Sequence, residues 1–279
     1  DESAALRLGG ADGLVAASLN AFLSGAFSAT PGEPCRVDAA ALQQTDAAAL
    51  RAIFQVGPKN PLCGLEARAR MLQRLGHALQ QASQREGVPA RPALLLHRLS
   101  AAGAQAAVSA GQLLQELLRF LDPVLCGPTR VMGVPVGDVW PHRFAGGADP
   151  ITGGLLPLHA RGQWLCASLH EVLQRAGVDL LGLDALCTSD ELDAVAFLLD
   201  CGVLLPRHAG AFERAWKPAD EFIVESRALA VTMQHELWTA LQAPPEPLPW
   251  HAMLQGMHAA AAEGAGARRL RVDGDGVLL

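Results

Sequence analysis

Charged side chains are scarce in this sequence, so those inside apolar stretches are the first candidates for chemistry. Glu225 and Arg227 lie in the otherwise apolar stretch Phe222–Met233. A charge in such a setting must be exposed or paired, because burying it alone is costly. The two side chains lie on different faces of a helix but share one face of an extended segment. Two interpretations stay open: recognition of a substrate, or an ion pair with another helix.

Glu191 is a third charged candidate, and it follows Ser189, which is a typical helix N-cap residue. A buried carboxylate can stabilise a positive charge that develops in a reaction, and it can orient or deprotonate an attacking water. The alternative is a solvated glutamate in the first helical turn, where the helix dipole favours negative charge.

Polar residues also accompany two tryptophans. His159 and Gln163 are four residues apart and therefore share a face of the helix that carries Trp164. Gln163 could hold a carbonyl or urea group, and Trp164 or Trp140 could stack on a planar group. The alternative is a capped core helix with its tryptophan buried.

Asp138 and His142 flank Trp140 and Pro141 in a predicted loop. Polar loop residues beside aromatic ones are candidate binding elements, but hydrogen bonding within a turn explains Asp138 equally well.

Arg68 is the candidate for contact with a phosphate, since it lies in the first turn of the helix that begins at Leu65. The alternative is a side chain whose stem packs on the apolar stripe while its head reaches water.

Several kinds of site have no counterpart in the sequence. There is no phosphate loop, no dinucleotide-binding glycine motif and no nucleophile elbow. The nine histidines are scattered without acidic partners at metal-ligand spacing, so we expect no metal and no cofactor. Tyrosine is absent, which excludes any mechanism that needs a phenol from this chain.

Composition restricts the class of protein further. The chain has 279 residues, of which 50% are hydrophobic and 18% charged, and its net charge is −6. This acidic balance argues against nucleic acid or a membrane surface as partner, and no apolar run is long enough to span a membrane. The six cysteines form no C-x-x-C pair and are expected to be small buried residues of a cytoplasmic protein.

Hydrophobic periodicity predicts the elements that position these residues. Helices are expected at 10–27, 38–54, 65–85, 91–102, 104–121, 155–176, 191–201, 219–241 and 250–264. A short hairpin is expected within 126–140 and another within 269–279, around the turn Asp273–Gly276. We therefore predict an all-α fold with one or two small hairpins. It forms a single domain over 1–279, in which residues 1–125 are helical, residues 126–154 form a hairpin and a loop, and residues 155–279 are helical again.

Three ordered sets of short motifs, spread over nearly the whole chain, resemble the uracil catabolism protein four family. The first begins with Gly10–Ser28, the second contains Gly137–His142 and Gly154–His159, and the third contains Gly182–Asp184, Asp200–Leu204 and Val224–Leu229. The same blocks more distantly resemble the queuosine 5′-phosphate N-glycosylase family, which implies a helical architecture related to DNA glycosylases.

The resemblance implies hydrolysis of an N-ribosidic bond in a phosphorylated nucleoside-like or ring-opened, ribosylurea-like pyrimidine. Glu191 matches the acidic residue of the glycosylase family and would be the catalytic carboxylate. The alternative is a degenerate, non-catalytic member that binds a nucleotide-like ligand or a protein partner. The sequence leaves the oligomeric state open.

The chain also departs from the glycosylase pattern. Leu192 and Asp193 stand where that family has tyrosine and arginine, which reverses a charge beside Glu191. The family carries a substantial region before the block that matches Gly10–Ser28, so we expect this chain to lack a segment present in relatives.

Overall fold

A computed structural model describes residues 10–101, 107–121, 124–125, 127–147, 149, 151–186, 191–242, 248–263 and 270–274. The chain forms two compact units. The first contains residues 10–101, 124 and 125, and the second contains the remaining described residues. The single domain expected over 1–279 therefore contains two compact units.

The first unit is built from five helices: α1 (Gly10–Leu23), α2 (Ala39–Gln44), α3 (Ala47–Ile53), α4 (Leu65–Glu86) and α5 (Leu94–Ala101). The prediction of one helix over 38–54 is wrong, because the chain breaks at Thr45 and Asp46 into α2 and α3. The Asp46 side chain accepts a hydrogen bond from the Ala49 amide at 2.7 Å and so starts a new helix.

Helices α2 and α4 pack closely at a glycine. A Cβ atom on Gly76 would lie 2.6 Å from the carbonyl oxygen of Ala39. Glycine inside a helix is usually destabilising. Here it is tolerated, because the absent side chain lets the backbone of α2 approach. This contact fixes how the two helices meet.

The second unit contains the helices α6 (Ala110–Leu121), α7 (Ala160–Arg175), α8 (Glu191–Asp200), α9 (Glu221–Ala240) and α10 (Trp250–Glu263). A short 3₁₀ helix spans Leu183–Ala185. Among the residues that the structure describes, every helix is too short or too polar to cross a membrane.

In the described part of the second unit, eight short strands form four separate pairs. Strands β1 (Ala107–Ser109) and β6 (Asp179–Leu181) pair in parallel, as do β7 (Ala215–Trp216) and β8 (Arg271–Val272). The other two pairs are antiparallel. They are β2 (Arg130–Val131) with β3 (Val134–Pro135), and β4 (Val139–Pro141) with β5 (Leu155–Pro157). The all-α prediction with small hairpins is confirmed.

Three predicted elements change because strands pair with distant partners. The helix predicted over 104–121 begins at Ala110, since Ala107–Ser109 pairs with β6. The helix predicted from 155 begins at Ala160, since Leu155–Pro157 pairs with β4 instead. The first arm of the predicted C-terminal hairpin pairs in parallel with β7. Its second arm lies outside the described residues, as does Ser189, the predicted cap of α8.

The core beside the candidate site lies between α8, α9 and α10. It consists of Ala194, Val195, Leu198, Leu199, Ala230, Met253 and Met257. A smaller apolar cluster of Ala211, Trp216 and Ile223 joins β7 to the first turn of α9. These clusters fix the positions of α8 and α9, which carry the predicted acidic residues.

The expectation of buried cysteines holds for one residue and is wrong for three. Cys166 is buried in α7, whereas Cys35, Cys63 and Cys201 are exposed. Cys126 and Cys187 lie outside the described residues.

Candidate functional site

A buried arginine joins three separate segments of the second unit. Arg227 on α9 is 0% exposed, and its Nη1 and Nη2 donate to Oδ1 and Oδ2 of Asp138 at 3.1 and 2.8 Å. Its Nε donates to Oε2 of Glu191 at 2.5 Å. Asp138 directly precedes β4 and Glu191 is the first residue of α8. We call Asp138, Glu191 and Arg227 the buried ion-pair cluster.

The cluster keeps its guanidinium charged in spite of its burial. Burial lowers the pKa of Arg227, but attraction by Glu191 and hydrogen bonds to Asp138 outweigh it. The pKa of Arg227 is therefore raised above its ordinary value. The alternative weighed for this residue, an ion pair with another helix, is what the structure contains.

Asp138 has further partners that suit a buried carboxylate. Its Oδ1 accepts a hydrogen bond from the Trp140 indole at 2.5 Å, and its Oδ2 accepts one from the Ala160 amide at 3.2 Å. Ala160 begins α7, so this carboxylate lies at the positive end of a helix. Because two carboxyl groups share one guanidinium, these additional N–H donors stabilise the cluster.

An open cavity lies next to the cluster. It is lined by residues of α8, the loop 203–214, β7 and the start of α9. Its volume is about 800 Å³, which is in the range of small-molecule sites. An apolar wall is formed by Val195, Leu199, Leu204, Leu205, Pro206, Leu229 and Leu270. The cavity's charged and aromatic lining residues are Arg143, Phe144, Arg207, His208, Arg214, Trp216, Asp220, Glu221, Phe222 and Glu225.

Most of the charged groups in the cavity are already paired. The Arg143 side chain and backbone amide each contact Oε1 of Glu221 at 3.2 Å. Arg214 lies 3.9 Å from Oδ2 of Asp220, which also accepts a hydrogen bond from the Lys217 amide at 2.9 Å. Asp220 and Glu221 also lie at the N-terminus of α9, where negative charge is stabilising.

Two charged groups in the cavity take no part in these ion pairs. Within the described residues of the chain, neither Arg207 nor the half-buried Glu225 has a hydrogen-bonding or ion-pair partner. The cavity thus presents one cation and one carboxylate that are available to a ligand.

Aromatic rings lie beside these groups. Trp216 and Phe222 have ring centroids 4.5 Å apart, and His208 contacts both rings edge-on at 5.2 and 5.3 Å. The Arg214 guanidinium stacks 3.5 Å above the Trp216 ring. The Trp216 indole donates to the Ala211 carbonyl at 2.8 Å, which fixes its orientation.

The structure divides the predicted acidic residues between the cavity and the cluster. Segment 222–224 is helical, so Glu225 and Arg227 point to different faces of α9. Glu225 lines the cavity. The described lining residues do not include Glu191, Asp138 or Arg227. Glu191 is only 3% exposed, so the alternative of a solvated first-turn glutamate is wrong.

The predicted stacking residues lie elsewhere. Trp140 is buried and bonded to Asp138, which leaves it no open face for a ligand. Trp164 on α7 is 56% exposed and does not belong to the cavity wall as described, so the alternative of a buried tryptophan is also wrong. His159 adopts a left-handed conformation at the N-terminus of α7, and Gln163 donates to the Leu158 carbonyl at 2.7 Å.

His142 lies behind the cavity. It is buried, and its Nδ1 accepts a hydrogen bond from the Phe144 amide at 3.2 Å. Its Nε2 lies 4.0 Å from Oε1 of Glu221, a cavity residue. The predicted loop residues thus hold the segment that carries Arg143 and Phe144.

Arg68, the phosphate candidate, belongs to the first unit. It is half-buried on α4, and its Nε donates to the Cys63 carbonyl at 3.2 Å. This geometry agrees with the alternative of a packed stem.

Sequence reasoning missed the cavity residues of the loop 203–214 and of β7. Arg207, His208, Arg214 and Trp216 follow Gly202 in a segment without helical periodicity. Their concentration of cationic and aromatic side chains in a loop was the available indication of a binding segment.

Comparison with protein families finds one match over nearly the whole chain. The model of the family described as "Protein of unknown function (DUF1688)" matches residues 2–271. This match covers both compact units.

Two curated relatives are similar over a large fraction of the chain. "Protein urg3" of Schizosaccharomyces pombe is 31% identical over 231 residues, which are 82% of this chain and 54% of that protein. "Uracil catabolism protein 4" of Lachancea kluyveri is 29% identical over 174 residues, which are 60% of this chain and 40% of that protein. The chain therefore spans about half the length of the curated relatives it matches.

Proposed function

Because the chain belongs to the DUF1688 family, we propose that it acts in uracil catabolism, the process for which its relative in Lachancea kluyveri is named. The proposed reaction is hydrolysis of the N-ribosidic bond of a phosphorylated nucleoside-like or ring-opened, ribosylurea-like pyrimidine. The observation that carries this proposal is Glu225, a half-buried carboxylate without a partner among the described residues, on the wall of an 800 Å³ cavity.

Glu225 supplies the group that this reaction needs. As the bond between C1′ and the nitrogen breaks, positive charge develops on the ribose, and a nearby carboxylate stabilises it. Water then forms a bond to C1′ while its proton passes through the carboxylate to the departing nitrogen. The products are the ribose compound and the free base or urea. This step uses no phenol, in agreement with the absence of tyrosine.

The cavity also has surfaces for the remainder of such a substrate. The ring of Phe222, which is half-buried on the cavity lining, offers a planar apolar contact to a base or ureido group. The leucine side chains that also line the cavity would reduce the access of water to the reacting bond.

In this proposal Glu191 has a positioning role and Glu225 takes the catalytic role first assigned to Glu191. The Glu191 carboxylate is bound to Arg227, and the cavity wall, as far as it is described, does not include it. Arg227 lies two residues after Glu225, so its ion pairs fix the turn of α9 that aims Glu225 into the cavity.

The test is product release by the purified chain. Uridine 5′-monophosphate and ribosylurea 5′-phosphate are supplied as substrates, and released ribose 5-phosphate, uracil and urea are measured. We expect Glu225→Gln to lower the rate by about 10²-fold or more. Glu236→Gln is the matched control, because Glu236 is exposed on the same helix. Absence of release by the wild-type chain, or equal rates in Glu225→Gln, would contradict the proposal.

A second candidate function is binding without catalysis. It is favoured by the ion pair of Glu191 with Arg227 and by Leu192 and Asp193, which differ from the glycosylase pattern. Calorimetric binding of the same two compounds without release of product would establish this alternative.

A further inference from the structure

The arginines of the cavity differ in how much of their charge is available to bind an anionic ligand. Arg143 is held by two contacts to Glu221, and Arg214 is stacked on Trp216 near Asp220. Arg207 is exposed on the cavity wall with no ion-pair partner in the described chain. Of the three arginines, Arg207 therefore offers an anion the most unshared charge.

From this difference we propose that Arg207 is the specificity residue for a 5′-phosphomonoester, with Arg214 as a second donor. The inference rests on the proposed function and deepens it by naming the subsite for the phosphate. A guanidinium matches two phosphate oxygens with two parallel N–H donors, which a neutral group cannot replace.

Arg214 suits the second position because it is pre-organised. Its guanidinium carbon lies 3.5 Å from the centroid of the Trp216 ring, and this contact restricts the position of the charged group. Its interaction with Asp220 is long, at 3.9 Å, and both side chains are partly exposed. Such a pair is weak and leaves donor capacity for a ligand.

The opposite charges then fix the orientation of the ligand. Glu225 repels a phosphate, and Arg207 repels the positive charge that develops at C1′. The ligand that satisfies both groups is a sugar phosphate whose anomeric carbon faces Glu225 and whose phosphate faces Arg207. An unphosphorylated nucleoside leaves Arg207 unused, so the cavity should discriminate against it.

The experiment measures binding of ribose 5-phosphate and of ribose by isothermal titration calorimetry. Ribose 5-phosphate is the fragment common to the proposed substrates, so it needs no turnover. We expect the wild-type chain to prefer it over ribose, and Arg207→Gln to weaken its binding about tenfold while ribose is unaffected. Arg161→Gln is the matched control, because Arg161 is exposed on α7 and does not belong to the described cavity wall.

The outcomes separate this inference from the proposed function. Equal affinity of the wild-type chain for both sugars, or an unchanged preference in Arg207→Gln, overturns the phosphate subsite even if product release is observed. Loss of the preference in Arg207→Gln supports it even if no product is released. Since Arg207 is exposed and unpaired as described, its replacement should leave the unfolding temperature unchanged, which circular dichroism verifies.

Discussion

The two terminal nitrogens of Arg227 donate one hydrogen bond to each carboxylate oxygen of Asp138, 89 residues earlier in the chain. This paired geometry joins the loop before β4 to the middle of the second unit. Glu191 binds the remaining nitrogen, so this one side chain links β4, α8 and α9 in addition to their apolar contacts. The cavity wall is formed from the neighbouring turns of the two helices.

The first prediction concerns this arginine. Arg227→Met preserves much of the side-chain volume but leaves two buried carboxyl groups without their cation. We expect the free energy of unfolding to fall by about 3–5 kcal/mol, as measured by urea denaturation. Arg175→Met is the control, because Arg175 is 78% exposed in a surface pair with Glu171 and should cost less than about 1 kcal/mol. Similar losses in the two variants would show that the cluster is not a structural centre.

The second prediction concerns pH and the pair Glu86–Arg98 in the first unit. Hydrogen bonding and attraction by Arg98, whose Nη2 donates to Oε1 at 2.7 Å, lower the pKa of Glu86 below its ordinary value. Folding then favours the ionised form, so this stabilisation is present above the unfolded pKa and disappears as pH falls through the folded pKa. We expect Glu86→Gln to cost about 0.5–1 kcal/mol at neutral pH.

Denaturation curves at several pH values check this sign. The difference between Glu86→Gln and the wild-type chain should begin to shrink as the pH falls below about 4.5, where the unfolded wild-type chain takes up a proton at Glu86. It should vanish below the lowered folded pKa, where Glu86 is neutral in both states. Glu236→Gln should show no comparable pH dependence, because Glu236 is exposed and forms no ion pair with the described residues. A difference that grows on acidification would contradict the assignment.

The third prediction compares two glycines in helices. Alanine has the higher helix propensity by about 1 kcal/mol, so Gly256→Ala in α10, where nothing lies within 4 Å of the added carbon, should stabilise the protein. Gly76→Ala should instead destabilise it by about 1 kcal/mol or more, because its Cβ would overlap the Ala39 carbonyl. Thermal unfolding measures both effects: the unfolding temperature should rise in Gly256→Ala and fall in Gly76→Ala. Stabilisation by Gly76→Ala would disprove the close contact of α2 with α4.

The fourth prediction concerns thiol reactivity. Burial raises the pKa of Cys166 to about 12, so its thiolate is scarce at pH 8 and out of reach of a reagent. Cys166→Ala should leave the number of thiols that react quickly with a disulfide reagent unchanged in the native protein. Cys201→Ala should reduce that number by one, since Cys201 is exposed. Loss of a fast thiol in Cys166→Ala would show that α7 opens readily.

Local patterns in the sequence predicted much of the secondary structure. Helical periodicity located α4 and α9 to within a few residues. The helices predicted over 155–176 and 191–201 are each followed by a glycine, and these residues, Gly177 and Gly202, have the positive φ angles of 80° and 70° that are typical where helices end. These features depend on residues close in sequence, so a single chain is sufficient to reveal them.

The candidate residues were predicted one by one, but not their grouping. Asp138 was chosen as a polar loop residue beside Trp140, Glu191 for the acidic residue that it matches in a family, and Arg227 for its charge in an apolar stretch. The structure brings the three together. Arg207 and Trp216 were missed, because a loop without periodicity gives no indication of the residues that it faces.

The sequence by itself determined a helical, tyrosine-free chain with few charges, and it thereby defined which groups are available for chemistry. Only the tertiary structure decided which charges neutralise one another and which face the cavity. The physical reason is that a charge is stabilised by partners within a few ångströms in space, and the partners of Arg227 lie 36 and 89 residues away along the chain. Periodicity within one helix carries no information about such distant partners.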